Sequence, residues 1–216
     1  MLENLDHIFR QDYNLHKLSE NSVDDNPFKQ FELSFKDIVE TKVKQPNSMI
    51  LSTVSCDGSP STRVVLLKHF DENGFVFFTN YTSTKAKDMQ SNPKVSLLFF
   101  SIDLERQIHI HGNVQKLPYE ESNSYFKSRP KQSQIAAISS FQSSRVSSRE
   151  TLEANYKNVF SQYESTSPEC PGFWGGYKVT PCYFEFWQGR ASRLHDRICY
   201  ELNQESHSWT IYRKSP

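Results

Sequence analysis

From Ser48 to Leu117 the chain is a succession of short β-rich runs closed by turn signals: SMILSTVS, CDGSP, STRVVLLKHF, DENG, FVFFTNY, and later KVSLLFFSI and LERQIHIHGNVQKL. Runs of this kind at spacings of roughly ten residues describe an antiparallel meander or barrel. Three more follow near the end, YFEFWQG, RLHDRICYEL and SWTIYRKSP, after a turn-rich link, PECPGFWGGYKVT. The expected class is therefore α+β, mainly antiparallel β.

Helices fit around these strands. Apolar residues at Phe31, Leu33, Phe35, Ile38, Val39 and Val43 mark a first helix over 30–44, closed by Pro46-Asn47. TSTKAKDMQSNP reads as a short helix capped by Thr82 or Ser83, its start a weak anion seat beside Lys85. The helix carrying Tyr125 should stop before Pro130, which opens the next one. Arg129 then sits at the junction and Ser133 in a first turn, so helix N–H groups, a guanidinium, a hydroxyl and the Tyr125 phenol make a good phosphate pocket. Gln142, Ser143 and Ser144 form a loop before a helix over 149–163. Residues 1–30 are polar with a weak apolar period and read as a mobile arm, leaving 31–216 as one domain.

Charge and composition narrow the partners. Lys+Arg and Asp+Glu both number 25, so no global field draws the chain to nucleic acid or an anionic membrane, and any phosphate must be held locally. Only seven glycines argue against a glycine-rich dinucleotide loop. Cys56, Cys170, Cys182 and Cys199 show neither zinc spacing nor a disulfide framework. With no membrane-length apolar run and no signal-type h-region, a cytoplasmic protein is expected.

Two strands carry candidate chemistry. In RVVLLK, period two sends Arg63, Val65 and Leu67 one way and Val64, Leu66 and Lys68 the other, so Arg63 and Lys68 should serve different ligands unless a bulge separates them. Gln107, His109 and His111 alternate with Ile108 and Ile110; with no third ligand at suggestive spacing, this reads as a polar face and no metal site is expected. If RLHDR is extended, Arg193, His195 and Arg197 share one wall, opposite Leu194 and Asp196, and such a row of cations wants an anionic or electron-rich ligand. For that motif alone, a solvated edge strand paired with Asp196 and Glu185 is the plainer reading.

Taken together, RVVLLK (63–68), LERQ (104–107), YFKSRPKQSQI (125–135), QSSR (142–145), FWGG (173–176), FWQG (186–189) and RLHDR (193–197) resemble the pyridoxine (pyridoxamine) 5′-phosphate oxidase family, in family order over nearly the whole chain. The resemblance implies an FMN-binding split β-barrel with peripheral helices, a homodimer with interfacial flavins, and oxidation of pyridoxine or pyridoxamine 5′-phosphate with O2 reduced to H2O2. Carried over by motif, flavin would be held by Arg63, Val64, Leu66, Lys68, Phe78, Thr79, Lys85, Gln107, Gln142, Ser143, Trp187 and Arg197. The substrate phosphate would meet Lys68, Tyr125, Arg129 and Ser133. Arg193 and His195 would lie over the pyridine ring as catalytic groups, and Arg10 and Tyr13 match a mobile lid. Two departures stand out: Thr84 replaces a usual arginine before Lys85, and Arg190 adds a cation. Another split-barrel flavoprotein, a reductase or an oxidase of a different substrate, is the principal rival; a flavin-binding sensor is the non-enzymatic one.

Overall fold

A computed structural model describes residues 12–216. Arg10, expected in a lid, lies outside the described residues. The strands are β1 (Ser48–Val54), β2 (Pro60–Leu66), β3 (His69–Asp71), β4 (Gly74–Asn80), β5 (Lys94–Ser101), β6 (Arg106–Lys116), β7 (Trp174–Gln188), β8 (Asp196–Leu202) and β9 (Trp209–Arg213). The helices are α1 (Pro27–Glu40), α2 (Thr84–Ser91), α3 (Tyr119–Ser128), α4 (Lys131–Ser139) and α5 (Arg149–Gln162). Strand neighbours run β2-β1-β5-β6-β7-β4-β3, with β8 on β7 and β9 on β8. The pairings β3–β4, β4–β7, β7–β8 and β8–β9 are all antiparallel. The expected α+β class, mainly antiparallel, is what the chain adopts.

The chain divides into two compact units. Among the described residues, the first comprises 12–49, Leu97–His111 and Pro181–Pro216; the second comprises Ile50–Ser96 and Gly112–Thr180.

In the first unit, α1 begins at Pro27 and not at residue 30, because Asn26 caps it by accepting the N–H groups of Phe28 and Lys29 and proline is welcome in a first turn. It ends at Glu40, short of the expected Lys44, because Lys42 and Gln45 both take left-handed backbone conformations. Its buried face carries Phe31 and Ile38; Phe31 meets Phe99 at 5.1 Å. Around them Ile108, Ile110, Phe184, Phe186, Ile198 and Tyr200 are at most 1% exposed, so this apolar set supplies most of the unit's stabilisation, roughly 1.5–3 kcal/mol per large side chain. The segment before α1 is tied down: Leu15 N–H donates to Glu105, Leu18 N–H to Asp196, and the Tyr200 hydroxyl to the Asp24 carbonyl.

In the second unit, Leu51, Phe75, Phe77, Val179, Phe126 and Ile135 are fully buried. The DENG turn closes β3 on β4, with the Asp71 carboxylate accepting from Asn73 N–H. Gly74 ends that turn at φ +136°, and an added Cβ would stand 2.1 Å from the Val179 carbonyl oxygen, so only glycine fits. One expectation fails here. FWGGYKVT is not a link: Trp174 to Asn80, through Val179 to Phe75, it pairs with β4 as the first half of a 15-residue strand. Two adjacent glycines mimic a turn in sequence, whereas in β7 they lie in register with Thr79 and Phe78.

Candidate functional site

The second unit holds a cavity of about 670 Å³, within the range of small-ligand sites. One wall is the end of β2 and the link after it. β2 stops at Leu66 and β3 starts at His69, and Lys68 N–H donates to the Val76 carbonyl. A strand break stands where only a bulge was considered, and the expectation of different ligands for Arg63 and Lys68 does not hold: Arg63, Val64, Leu66 and Lys68 all line the same cavity.

A second wall comes from β4 and α2. Lys85 Nζ donates to Gln142 Oε1 (2.8 Å), Thr79 Oγ1 (3.2 Å) and Ser83 Oγ (3.3 Å), all neutral acceptors. Arg63 donates to Thr53 Oγ1 and the Leu51 carbonyl and lies 3.8 Å from the buried carboxylate of Asp88. Burial, aided by the Arg63 charge, lowers the Lys85 pKa to about 8, with Asp88 opposing. Two cations share one buried acid, so the cavity is suited to an anion. Ser83 is the N-cap, although its hydroxyl donates to the Asn80 carbonyl and leaves the helix N–H groups uncapped by side chain.

The depressed ammonium has a consequence for the ligand-free protein. Between pH about 8 and 10.5 the folded chain has released a proton that the unfolded chain still binds, so stability rises with pH across that window. Denaturant midpoints across it should climb, and Lys85→Met should remove that increment; an unchanged slope in the variant would place the titration elsewhere.

A third wall is the α3–α4 junction. Arg129 is the C-cap of α3 and extended (φ −75°, ψ 151°), Pro130 occupies the N-cap of α4, and Ser133 stands in its first turn. Tyr125, Arg129 and Ser133 all line the cavity, as the proline punctuation predicted. The Arg129 guanidinium lies 4.7 Å over the Trp174 ring, and its Nη1 is buried with no hydrogen-bond partner among the described residues. Phe78 stacks on Tyr125 at 3.9 Å and lies near-parallel to Trp174 at 5.4 Å, the three rings forming one cluster. A buried charged donor without a partner is costly and calls for an anionic oxygen. Trp174 was not singled out from the sequence, although FWGG contained it; nor was Asp88, since nothing in KDMQ marks a buried acid. Ser143, expected at the flavin, lies in the adjoining exposed loop with φ +70° and is not part of the cavity wall.

The first unit carries the other expected residues. RLHDR does not form the predicted three-residue wall. Ala191–Arg193 is a turn of 3-10 helix, Ser192 and Arg193 have φ +57° and +61°, and β8 starts only at Asp196. Arg193 is exposed, whereas His195 lies against Trp187, ring centroids 4.7 Å apart, with Tyr13 edge-on to Trp187 at 5.9 Å. Tyr13 also covers Gly189, where a Cβ would come within 2.7 Å of its ring. The Arg190 N–H donates to His195 Nδ1 (3.1 Å), which leaves the neutral imidazole's proton on Nε2. Burial and the Arg193 charge hold its pKa below the usual value, Asp196 opposing, so this neutral form prevails at pH 7.

Arg197 is committed locally: Nε and Nη2 grip Glu185 at 2.8 and 2.9 Å, and Nη1 donates to the Ser215 carbonyl. Tyr183 donates to the same carboxylate at 2.8 Å. Of the plainer reading, the pairing of Arg197 with Glu185 is present, and Arg190 faces Asp196 at 3.8 Å, but β8 lies between β7 and β9 and is no edge strand. Gln107 shares a face of β6 with His109 and His111, against fully buried Ile108 and Ile110, as the alternation predicted.

Comparison with known proteins gives a consistent result. Residues 35–163 match the model described as pyridoxamine 5′-phosphate oxidase, and residues 174–216 the pyridoxine 5′-phosphate oxidase C-terminal dimerisation region. Pyridoxine/pyridoxamine 5′-phosphate oxidases of Rippkaea orientalis and Aliarcobacter butzleri are each 49% identical over 207 residues, covering 96% of this chain and 97% of theirs. Among solved structures, PhzG from Burkholderia lata, in complex with tetrahydrophenazine-1-carboxylic acid, superposes with a TM-score of 0.86 at 24% identity, covering 94% of this chain and 99% of that one. A pyridoxamine 5′-phosphate oxidase-related, FMN binding protein from Nostoc punctiforme reaches 0.70 at 15% identity, covering 88% and 98%. These two likenesses show the fold, the split β-barrel that the sequence led us to expect.

Proposed function

The chain belongs to the pyridoxamine 5′-phosphate oxidase family, and from that premise we propose that it is an FMN-dependent oxidase converting pyridoxine or pyridoxamine 5′-phosphate to pyridoxal 5′-phosphate. The observation that carries the reading is Arg129: a buried, unpartnered guanidinium nitrogen in a cavity that also presents Tyr125, Ser133 and Lys68 suits a phosphate monoester. The same cavity fits the terminal phosphate of FMN through Arg63 and Lys85, two cations sharing one acid, and the chain has no glycine-rich loop for the pyrophosphate of FAD. When bound, FMN supplies the redox chemistry, accepting hydride from C4′ and passing the electrons to O2 to give H2O2.

The protein's own groups bind and orient. Val64, Leu66 and Phe78 offer an apolar wall for the flavin, with Thr79 and Gln142 beside it. The resemblance adds Ser143, Gln107, Trp187 and Arg197 to that set, in a homodimer consistent with the matched dimerisation region. It gives Arg193 and His195 the pyridine ring. A neutral His195 with its proton on Nε2 can donate to the 4′ substituent and take up or release a proton there, while Arg193 holds the ring and excludes water. Arg10 and Tyr13 would cover the substrate. Cytoplasmic residence accords with this chemistry, and among the described residues no helix is long and apolar enough to cross a membrane.

The test is H2O2 production by purified protein with pyridoxine 5′-phosphate, with unphosphorylated pyridoxine as control. Equal rates with both would defeat the phosphate assignment, and flavin reduction by a nicotinamide donor with no H2O2 from either would favour a reductase. A smaller effect concerns Thr84, exposed at the first position of α2. Thr84→Arg should tighten FMN by about 1 kcal/mol, roughly fivefold, with less gain at higher salt. Titration of apo-protein at two ionic strengths checks it; unchanged affinity at low salt would mean that Lys85 and Arg63 already satisfy the phosphate.

A further inference from the structure

We propose that His109 and His111 form a two-imidazole clip for a divalent transition-metal ion of the nickel, copper or zinc kind, on the polar face of β6. Their Nε2 atoms share a hydrogen bond at 3.1 Å with the rings at 90°, and a metal would replace that shared proton, the donor ring shifting its N–H to Nδ1. Two nitrogens bound at about 2.0–2.1 Å are about 2.9 Å apart at a right angle and about 3.4 Å apart at the tetrahedral angle, so the observed spacing lies between the two coordination geometries.

The clip is held in place. Ile108 and Ile110 are fully buried behind it and fix the strand, and Tyr183 stacks on the His111 ring at 5.0 Å. Burial lowers the pKa of both imidazoles. Among the facing charges Glu185 favours a cation, while Lys214 and Arg197 oppose it. No cluster of three or more potential ligands exists among the described residues, so water or a second copy of the chain fills the remaining positions. Neutral imidazole suits nickel, copper and zinc, whereas magnesium and calcium prefer oxygen ligands.

Calorimetric titration of the flavin-loaded protein with NiCl2 tests the clip. The expected result is a saturable site, one per chain or one per two chains, weakened at least tenfold in His109→Gln and in His111→Gln and undisturbed by a hundredfold excess of MgCl2. Absence of saturable binding below millimolar nickel, or equal affinity in the double variant, would overturn it. A measurement on the unaltered protein removes dependence on the variants' folding: substoichiometric nickel should broaden the ring-proton resonances of His109 and His111 before those of other histidines. Broadening elsewhere first would place the metal at another site.

Discussion

Arg129→Ala is expected to raise KM for the phosphorylated substrate by about 30- to 150-fold while leaving kcat within a few-fold. On the proposed assignment, the lost interaction is a charge-assisted hydrogen bond from the guanidinium with the buried Nη1, worth roughly 2–3 kcal/mol, to a phosphate remote from the reacting carbon. Such binding is shared by ground and transition states, so it appears in KM. Arg129→Lys should recover only part of the loss, since an ammonium cannot keep both the planar stacking over Trp174 at 4.7 Å and a forked contact to phosphate. Steady-state kinetics decide between outcomes: a fall in kcat at constant KM would mean that the guanidinium acts at the reacting ring and the phosphate lies elsewhere.

Glu185→Ala should cost about 3 kcal/mol of stability, at the low end for breaking a buried ion pair because Arg197 keeps the Ser215 carbonyl and partial access to solvent. The Glu185 side chain is 9% exposed and that of Arg197 24%. Burial pushes the Glu185 carboxyl up, but the hydrogen bonds from Arg197 and Tyr183, with the Arg197 and Lys214 charges, together hold it below the usual range. For a chain of this length the loss corresponds to a Tm lower by about 6–12 °C. Glu185→Gln retains an acceptor for Tyr183 and should fall between the two. A Glu185→Ala variant melting within 2 °C of the parent, a shift of about 1 kcal/mol or less, would show that solvent already satisfies Arg197.

The candidate site was legible where local chain chemistry dictates it and illegible where tertiary contacts do. Pro130 alone placed Arg129 at a helix junction and Ser133 in the next first turn, and both line the cavity. The alternation of Gln107, His109 and His111 survived because Ile108 and Ile110 are core residues. Period-two reasoning failed at Arg63 and Lys68 because no turn residue in VVLLK announces that β2 ends at Leu66. It failed again at RLHDR, where Ser192 just before it and its own Arg193, neither of them a glycine, take left-handed conformations. Lys85 was visible as a cation, but its partner set, Thr79, Ser83 and Gln142, is assembled only by folding.

Those two consecutive left-handed residues act as a filter on which sequences this chain can tolerate. At Ser192 and Arg193 a branched β-carbon would crowd the adjoining carbonyl, so valine, isoleucine and threonine are disfavoured there on backbone grounds alone, whatever their side chains would touch. Glycine, asparagine and aspartate are the inexpensive replacements at position 192. The residue before Arg193 is thus constrained in identity without having to contact any ligand, and drift at that one position would re-aim the Arg193 side chain before it altered a single contact in the core.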